Sequence, residues 1–213
     1  DNSCWQYEGK FGDFLGVPIA PHFFTTAKQI GGGIGNVLDF HGDNYTLIAS
    51  QPTQTTNLQI WEVDHSKPFP TFAPLASAAG DTLTAATVIG RGTRRGVPVT
   101  VGKVLKGWKW GFSDNVQRWG RNEVEGVLPG GPGFGDLLFC NFNAQALPNE
   151  CHLSVGDSGG GMFVLENGLW RLAGVHYSVE GPFRRDSSEA PFDAALFDTG
   201  GLEAQNEGWG LVP

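Results

Sequence analysis

The chain has 213 residues, 40% of them hydrophobic, with a formal net charge of −8. That much apolar material can bury a core, which excludes intrinsic disorder, while the acidic balance argues against a phosphate-binding surface and so against a nucleic-acid partner. Thirty-two glycines and 13 prolines against one methionine point to many short strands and turns, and no apolar run reaches the ~18 residues of a membrane-spanning helix.

In chain order, the sequence starts at Asp1 with neither a methionine nor a signal peptide, as a trimmed mature form or a cut piece of a longer chain would. Of the three cysteines, Cys140 and Cys151 bracket a short polar loop and are placed to close it by a disulfide, leaving Cys4 over. The cysteine usage makes a secreted or periplasmic location the expectation. His22 to Ala27 reads as a strand with His22 at its start, followed by a tight turn at Lys28-Gln29-Ile30-Gly31. Val37 to Phe40 and Tyr45 to Ala49 form a hairpin joined by residues 41–44. Asp39, His41 and Asp43 there are read as a polar turn in preference to metal ligands, and neither metal nor cofactor is expected. Asn57 stands at the head of a strand running through Leu58-Gln59-Ile60-Trp61-Glu62-Val63, and Pro68 to Pro74 is a connection.

A lobe boundary falls near residues 76–90, dividing the chain into 1–82 and 83–213. Strands are expected over Val97–Trp110, Asn115–Val127 and Leu137–Phe142. The basic residues between Arg91 and Arg121 are interleaved with Trp108, Trp110 and Trp119, which reads as a solvated barrel rim with buried indoles. Val155-Gly156-Asp157-Ser158-Gly159-Gly160-Gly161 then sets a hydroxyl nucleophile between glycines, in a turn whose N–H groups suit an oxyanion hole. Met162 to Val175 is a hairpin about an Asn167-Gly168 turn. Beyond residue 181 the chain turns polar, with Ala194–Phe197 as a last apolar element. Gly200, Gly201, Gly208 and Gly210 argue against a long terminal helix.

The Gly-Asp-Ser-Gly-Gly loop, with a hairpin ending in Gly174-Val175-His176-Tyr177, resembles the chymotrypsin/trypsin-like serine proteases. The resemblance implies an all-β fold of two six-stranded antiparallel barrels with the cleft between them, Ser158 as the nucleophile, and the N–H groups of Gly156 and Ser158 as the oxyanion hole. It also implies a histidine after the Thr-Ala of residues 26–27 and an aspartate at the head of the strand that follows the 37–49 hairpin. The matching residues here are Gln29 and Asn57. A register one residue earlier puts Lys28 in place of Gln29, but Gln29 fits better because Phe23-Phe24-Thr25 then precede the threonine. His22, seven residues upstream, is a surface residue in this reading. The family's cleaved apolar N-terminus is also absent, so Asp157 must find other hydrogen bonds. By the same resemblance, His176, Tyr177 and His152 line the primary pocket, where the histidines favour an acidic or polar side chain.

A glutamine amide is no base at neutral pH, and without one a serine hydroxyl is a weak nucleophile. The sequence therefore reads as a trypsin-like scaffold whose cleft holds a peptide or protein uncut. The alternatives are an enzyme with another base, Lys28 for example, or an active parent in which both amides were introduced to inactivate it.

Overall fold

The computed structural model describes residues 4–51, 53–77, 84–144, 147–205 and 210–211. Its first half is a closed six-stranded antiparallel barrel made of β1 (Gly9–Phe11), β2 (Phe14–Ala20), β3 (Phe23–Ala27), β4 (Val37–Phe40), β5 (Asp43–Gln51) and β6 (Leu58–Val63), in the spatial order β1-β2-β3-β6-β5-β4. The alternation of apolar and polar residues along β4 and β5 is what closes it: Leu38, Phe40, Tyr45 and Leu47 point inward and are buried. They meet Phe11, Phe24, Trp61, Val63 and Phe69 in one cluster. The β4–β5 turn is tighter than the four residues expected. It uses only His41 and Gly42, both at positive φ (58° and 91°), the twist-compatible geometry of a two-residue hairpin. Asp39 accepts the Gly42 N–H there at 2.8 Å, which makes the cluster a turn.

The second half is built of open sheets. β7 (Thr84–Gly90), β10 (Arg118–Val124), β13 (Gly161–Glu166) and β14 (Leu169–Val175) form a four-stranded sheet in the order β10-β7-β13-β14. β8 (Thr93–Val101), β9 (Val104–Ser113) and β17 (Ala194–Leu196) form a three-stranded one. Three pairs complete it: β11 (Gly126–Pro129) with β12 (Asp136–Phe139), β15 (Ser178–Val179) with β19 (Gly210–Leu211), and β16 (Phe183–Arg184) with β18 (Glu203–Ala204). The stretch expected as one strand over 97–110 is in fact part of the β8–β9 hairpin, which turns at Gly102-Lys103, both at positive φ. The β13–β14 hairpin has the expected Asn167-Gly168 turn, again with both residues at positive φ.

The cysteines require a correction. Cys4, Cys140 and Cys151 are all free, so no Cys140–Cys151 disulfide exists. Burial pushes each thiol up to about 12. Cys151 is tied instead through its backbone, donating its N–H to the Arg121 carbonyl at 3.0 Å and accepting from Asn122 Nδ2 at 3.1 Å. The cysteines lend no support to export.

The two halves meet along a second cluster that draws Cys4, Leu15 and Val17 from the first and Ile89, Phe163 and Leu172 from the second. Glu8 lies at this seam, 3% exposed. Its Oε1 accepts the Gly161 N–H at 2.8 Å, while its Oε2 has no partner among the described residues. Desolvation raises this carboxyl well above its ordinary value, with the Gly161 hydrogen bond pulling weakly the other way. A group whose folded value is raised favours the folded state below its unfolded value, and that support is lost as pH rises through the folded one. The native chain is therefore expected to lose stability relative to Glu8→Gln as pH rises from 4 to 8. Urea midpoints for the two proteins at several pH values check this, and parallel curves would contradict it.

Candidate active site

β3 ends at Ala27 and the chain turns through a single 3₁₀ turn, Lys28–Ile30, closed by Gly31 at φ 71°. This turn projects Gln29 toward the serine loop, while Lys28 lies exposed and points away. The Lys28 ammonium donates to the carbonyls of Thr53 (2.6 Å) and Thr56 (3.2 Å), which removes it as a base for Ser158. The register with Gln29 is the one the fold adopts. Asn57 is brought alongside by a backbone hydrogen bond from Lys28 N–H to Asn57 O, 2.8 Å. His22 sits beyond the opposite end of β3, its ring stacked on His65 at 4.4 Å between centroids.

Three side chains widely separated in sequence converge here. Asn57 Nδ2 donates to Gln29 Oε1, and Gln29 Nε2 donates to Ser158 Oγ at 3.3 Å and to the Tyr177 carbonyl at 2.6 Å. The Tyr177 carbonyl fixes which way the Gln29 amide faces, because a flipped amide would turn its oxygen onto another acceptor. The hydrogen bond thus runs from residue 29 to the serine. A general base needs the reverse, an acceptor for the serine proton.

The serine loop is held from several sides. Asp157 Oδ1 accepts the Gly92 N–H at 2.7 Å, and Oδ2 accepts the Ser154 N–H at 2.7 Å and its hydroxyl at 3.2 Å. Gly160 N–H returns to Asp157 O, and Gly159 N–H goes to His176 O. Among the described residues, the N–H groups of Gly156 and Ser158 donate to no acceptor. Gly156 has φ 97°, a conformation that side chains disfavour. Desolvation raises the Asp157 carboxyl, and its hydrogen bonds to Ser154 and Gly92 and the Arg118 charge pull it down. The internal partners that Asp157 requires are thus backbone and hydroxyl donors of Gly92 and Ser154. Sequence alone flagged neither, although Ser154 stands at the i−3 spacing typical of local capping by aspartate.

The predicted pocket histidines separate. His176 is 3% exposed, and its Nε2 donates to the Ile89 carbonyl at 3.0 Å. Burial lowers its pKa to about 4, so it is a neutral, buried imidazole on the wall of the smaller of two cavities. His152 does line a cavity of about 570 Å³, together with Leu153, Met162, Val179 and Glu180. Its Nδ1 donates to the Leu153 carbonyl at 2.5 Å, and desolvation holds it below the ordinary histidine range. Tyr177 lines a smaller neighbouring cavity of about 190 Å³ together with Asn57 and Phe134, and it contributes its carbonyl to the Gln29 contact.

With this geometry in place, comparison with solved structures is informative. A mutant of human heparin binding protein (CAP37) superposes with a TM-score of 0.58 at 14% identity, over 90% of this chain and 86% of that one. A mutant of Rv3671c from M. tuberculosis, in its inactive form, superposes with a TM-score of 0.50 at 15% identity, over 89% of this chain and 78% of that one. The chain has the trypsin-like serine protease fold. No protein-family model and no curated protein matches its sequence.

The Asp157 contacts generate a prediction. A side-chain carbon at Gly92 would collide with Ser154 Oγ and the Asp157 carboxylate. Gly92→Ala should therefore disrupt the hydrogen bonds that replace a charged partner for Asp157, costing ~1–3 kcal/mol. Urea unfolding checks this, and an unchanged midpoint would mean that the carboxylate finds other donors.

Proposed function

We propose that this chain is a non-catalytic member of the trypsin-like group, with lobes 1–82 and 83–213 arranged as two barrels around a cleft that binds peptide or protein without cutting it. The observation that carries this reading is the direction of the Asn57–Gln29–Ser158 relay, in which each amide nitrogen donates toward the serine. Ser158 Oγ receives a hydrogen bond where an enzyme would have its proton withdrawn. The general-base contribution, about 10²–10⁴-fold in rate, has no group to supply it among the described residues that touch Ser158 Oγ. Gly156 and Ser158 take the role of oxyanion donors in this proposal.

Reversion tests it. Labelling of Ser158 by a fluorophosphonate, read by intact mass, compares the native chain with Gln29→His, Asn57→Asp and the double variant. Only the double variant should label quickly. In Gln29→His the Asn57 amide would still donate, holding the imidazole in the tautomer whose proton faces Ser158. In the serine triad, the wrong tautomer costs about 10⁴-fold. Brisk labelling of the native chain would overturn the reading.

A further inference from the structure

We propose that the β8–β9 hairpin is a docking site for an acidic, partly apolar segment of a partner protein, held in extended form along Arg95, Lys109 and Lys103. No residue of 93–113 lines either cavity near the relay, so this surface is separate from the cleft and independent of whether Ser158 is active.

Charge decides the sign of the partner. Residues 91–113 carry six of the chain's 14 basic residues and none of its 22 acidic ones, a basic ribbon on a protein of net charge −8. Three of the six are spent internally. Arg91 is buried and donates to the carbonyls of Gly12, Phe14 and Asn115, while Arg94 pairs with Asp114 and Lys106 with Asp198. Among the described residues, Arg95, Lys103 and Lys109 meet no carboxylate. Arg95 and Lys103 are exposed and Lys109 is half-buried. The Arg95 guanidinium rests 4.4 Å from the Trp108 ring centre, and the Lys109 ammonium 4.3 Å from that of Phe192. A cation already resting on a ring has less freedom to lose when an anion arrives, and stacking leaves its N–H donors unused.

The shape of the hairpin decides the rest. Lys103 sits in the turn at φ 71°, with Arg95 eight residues before it, about 25 Å away at the rise of a strand. Lys109 adjoins Trp110, the register partner of Arg95. An extended segment of about eight residues spans that length. Val97, Val104 and Phe112 are each more than half exposed beside these cations, which suits apolar side chains set among the acidic ones. The contact runs through side chains: β8 is an edge strand, but Pro98 and three register shifts spoil it as a template for an added strand. A long polyanion such as a nucleic acid would run off the hairpin onto a surface where acidic residues predominate. Nor is Trp108 open to stack a sugar or a base, since it carries Arg95 and packs against Phe142 and Phe197.

Fluorescence anisotropy on the full chain tests this with three labelled octapeptides: alternating Glu and Leu, and the same peptide with Gln or with Lys in place of Glu. The Glu peptide should bind about tenfold or more tighter than the other two, and should weaken about fivefold when salt is raised from roughly 50 to 300 mM. The triple variant Arg95→Gln, Lys103→Gln, Lys109→Gln should lose about tenfold in affinity for it. Lys10→Gln, Lys67→Gln, Arg185→Gln removes the same charge elsewhere and should lose less than about twofold; circular dichroism confirms that both variants are folded. Equal losses in the two variants would reduce the effect to net charge and overturn the site, as would a Glu peptide bound no better than its Gln analogue. Inorganic polyphosphate binding more tightly than the peptide, at equal charge, would overturn the protein partner in favour of a phosphate polymer.

Discussion

The chemistry of the site depends on one hydrogen bond, that from Gln29 Nε2 to the Tyr177 carbonyl at 2.6 Å. A glutamine amide can face either way at little intrinsic cost, so its neighbours decide. The carbonyl is a fixed acceptor at the end of the β14 segment, and it forces the amide nitrogen toward both itself and Ser158. Everything downstream follows from that orientation: the amide oxygen is left for Asn57, the serine becomes an acceptor, and the serine proton is released to the cleft. A backbone group thus determines the polarity of three side chains.

The loop carrying Ser158 meets a second constraint, a carboxylate with no cationic partner in direct contact among the described residues. Placing Asp157 near the seam costs desolvation, and the structure offsets this with three donors from Gly92 and Ser154. Close approach requires glycine at 90 and 92, where any side chain would strike the carboxylate. The loop is therefore set by local geometry, through the donors of Gly92 and Ser154. The N-terminal segment contributes differently, through the buried Glu8 carboxyl on Gly161.

Much of this was legible in the sequence, for identifiable reasons. The Asn167-Gly168 hairpin and the strand bearing Phe23 to Ala27 are local features, encoded by turn chemistry and short apolar runs. The convergence of residues 29, 57 and 158 was readable only because their order matched a known constellation; nothing in the composition near Gln29 announces it. What failed was non-local or conformational. The burial of His176 against Ile89 O depends on a strand 87 residues away. The Cys140–Cys151 pairing rested on loop closure, which spacing permits but does not compel. The break of β8 and β9 at Gly102-Lys103 was hidden by continuous β-favouring residues on both sides. The donors to Asp157 were invisible because a backbone N–H carries no signature in residue type.

The two amides are coupled by the same carbonyl. Consider glutamine at 29 with an aspartate at 57. The carboxylate would need a donor, and the Gln29 amide could supply one only by turning its nitrogen away from Tyr177. Its oxygen would then face the Tyr177 carbonyl and the serine, placing two acceptors in contact and leaving a half-buried charge poorly paired. With asparagine at 57 each contact within the relay is complementary: nitrogen on oxygen from 57 to 29, and nitrogen on oxygen from 29 to 158 and 177. The serine fits this neutral chain unchanged, since a hydroxyl accepts as readily as it donates. That accounts for a site in which two positions are amides while the third keeps its hydroxyl, and it makes the amide pair a single physical solution.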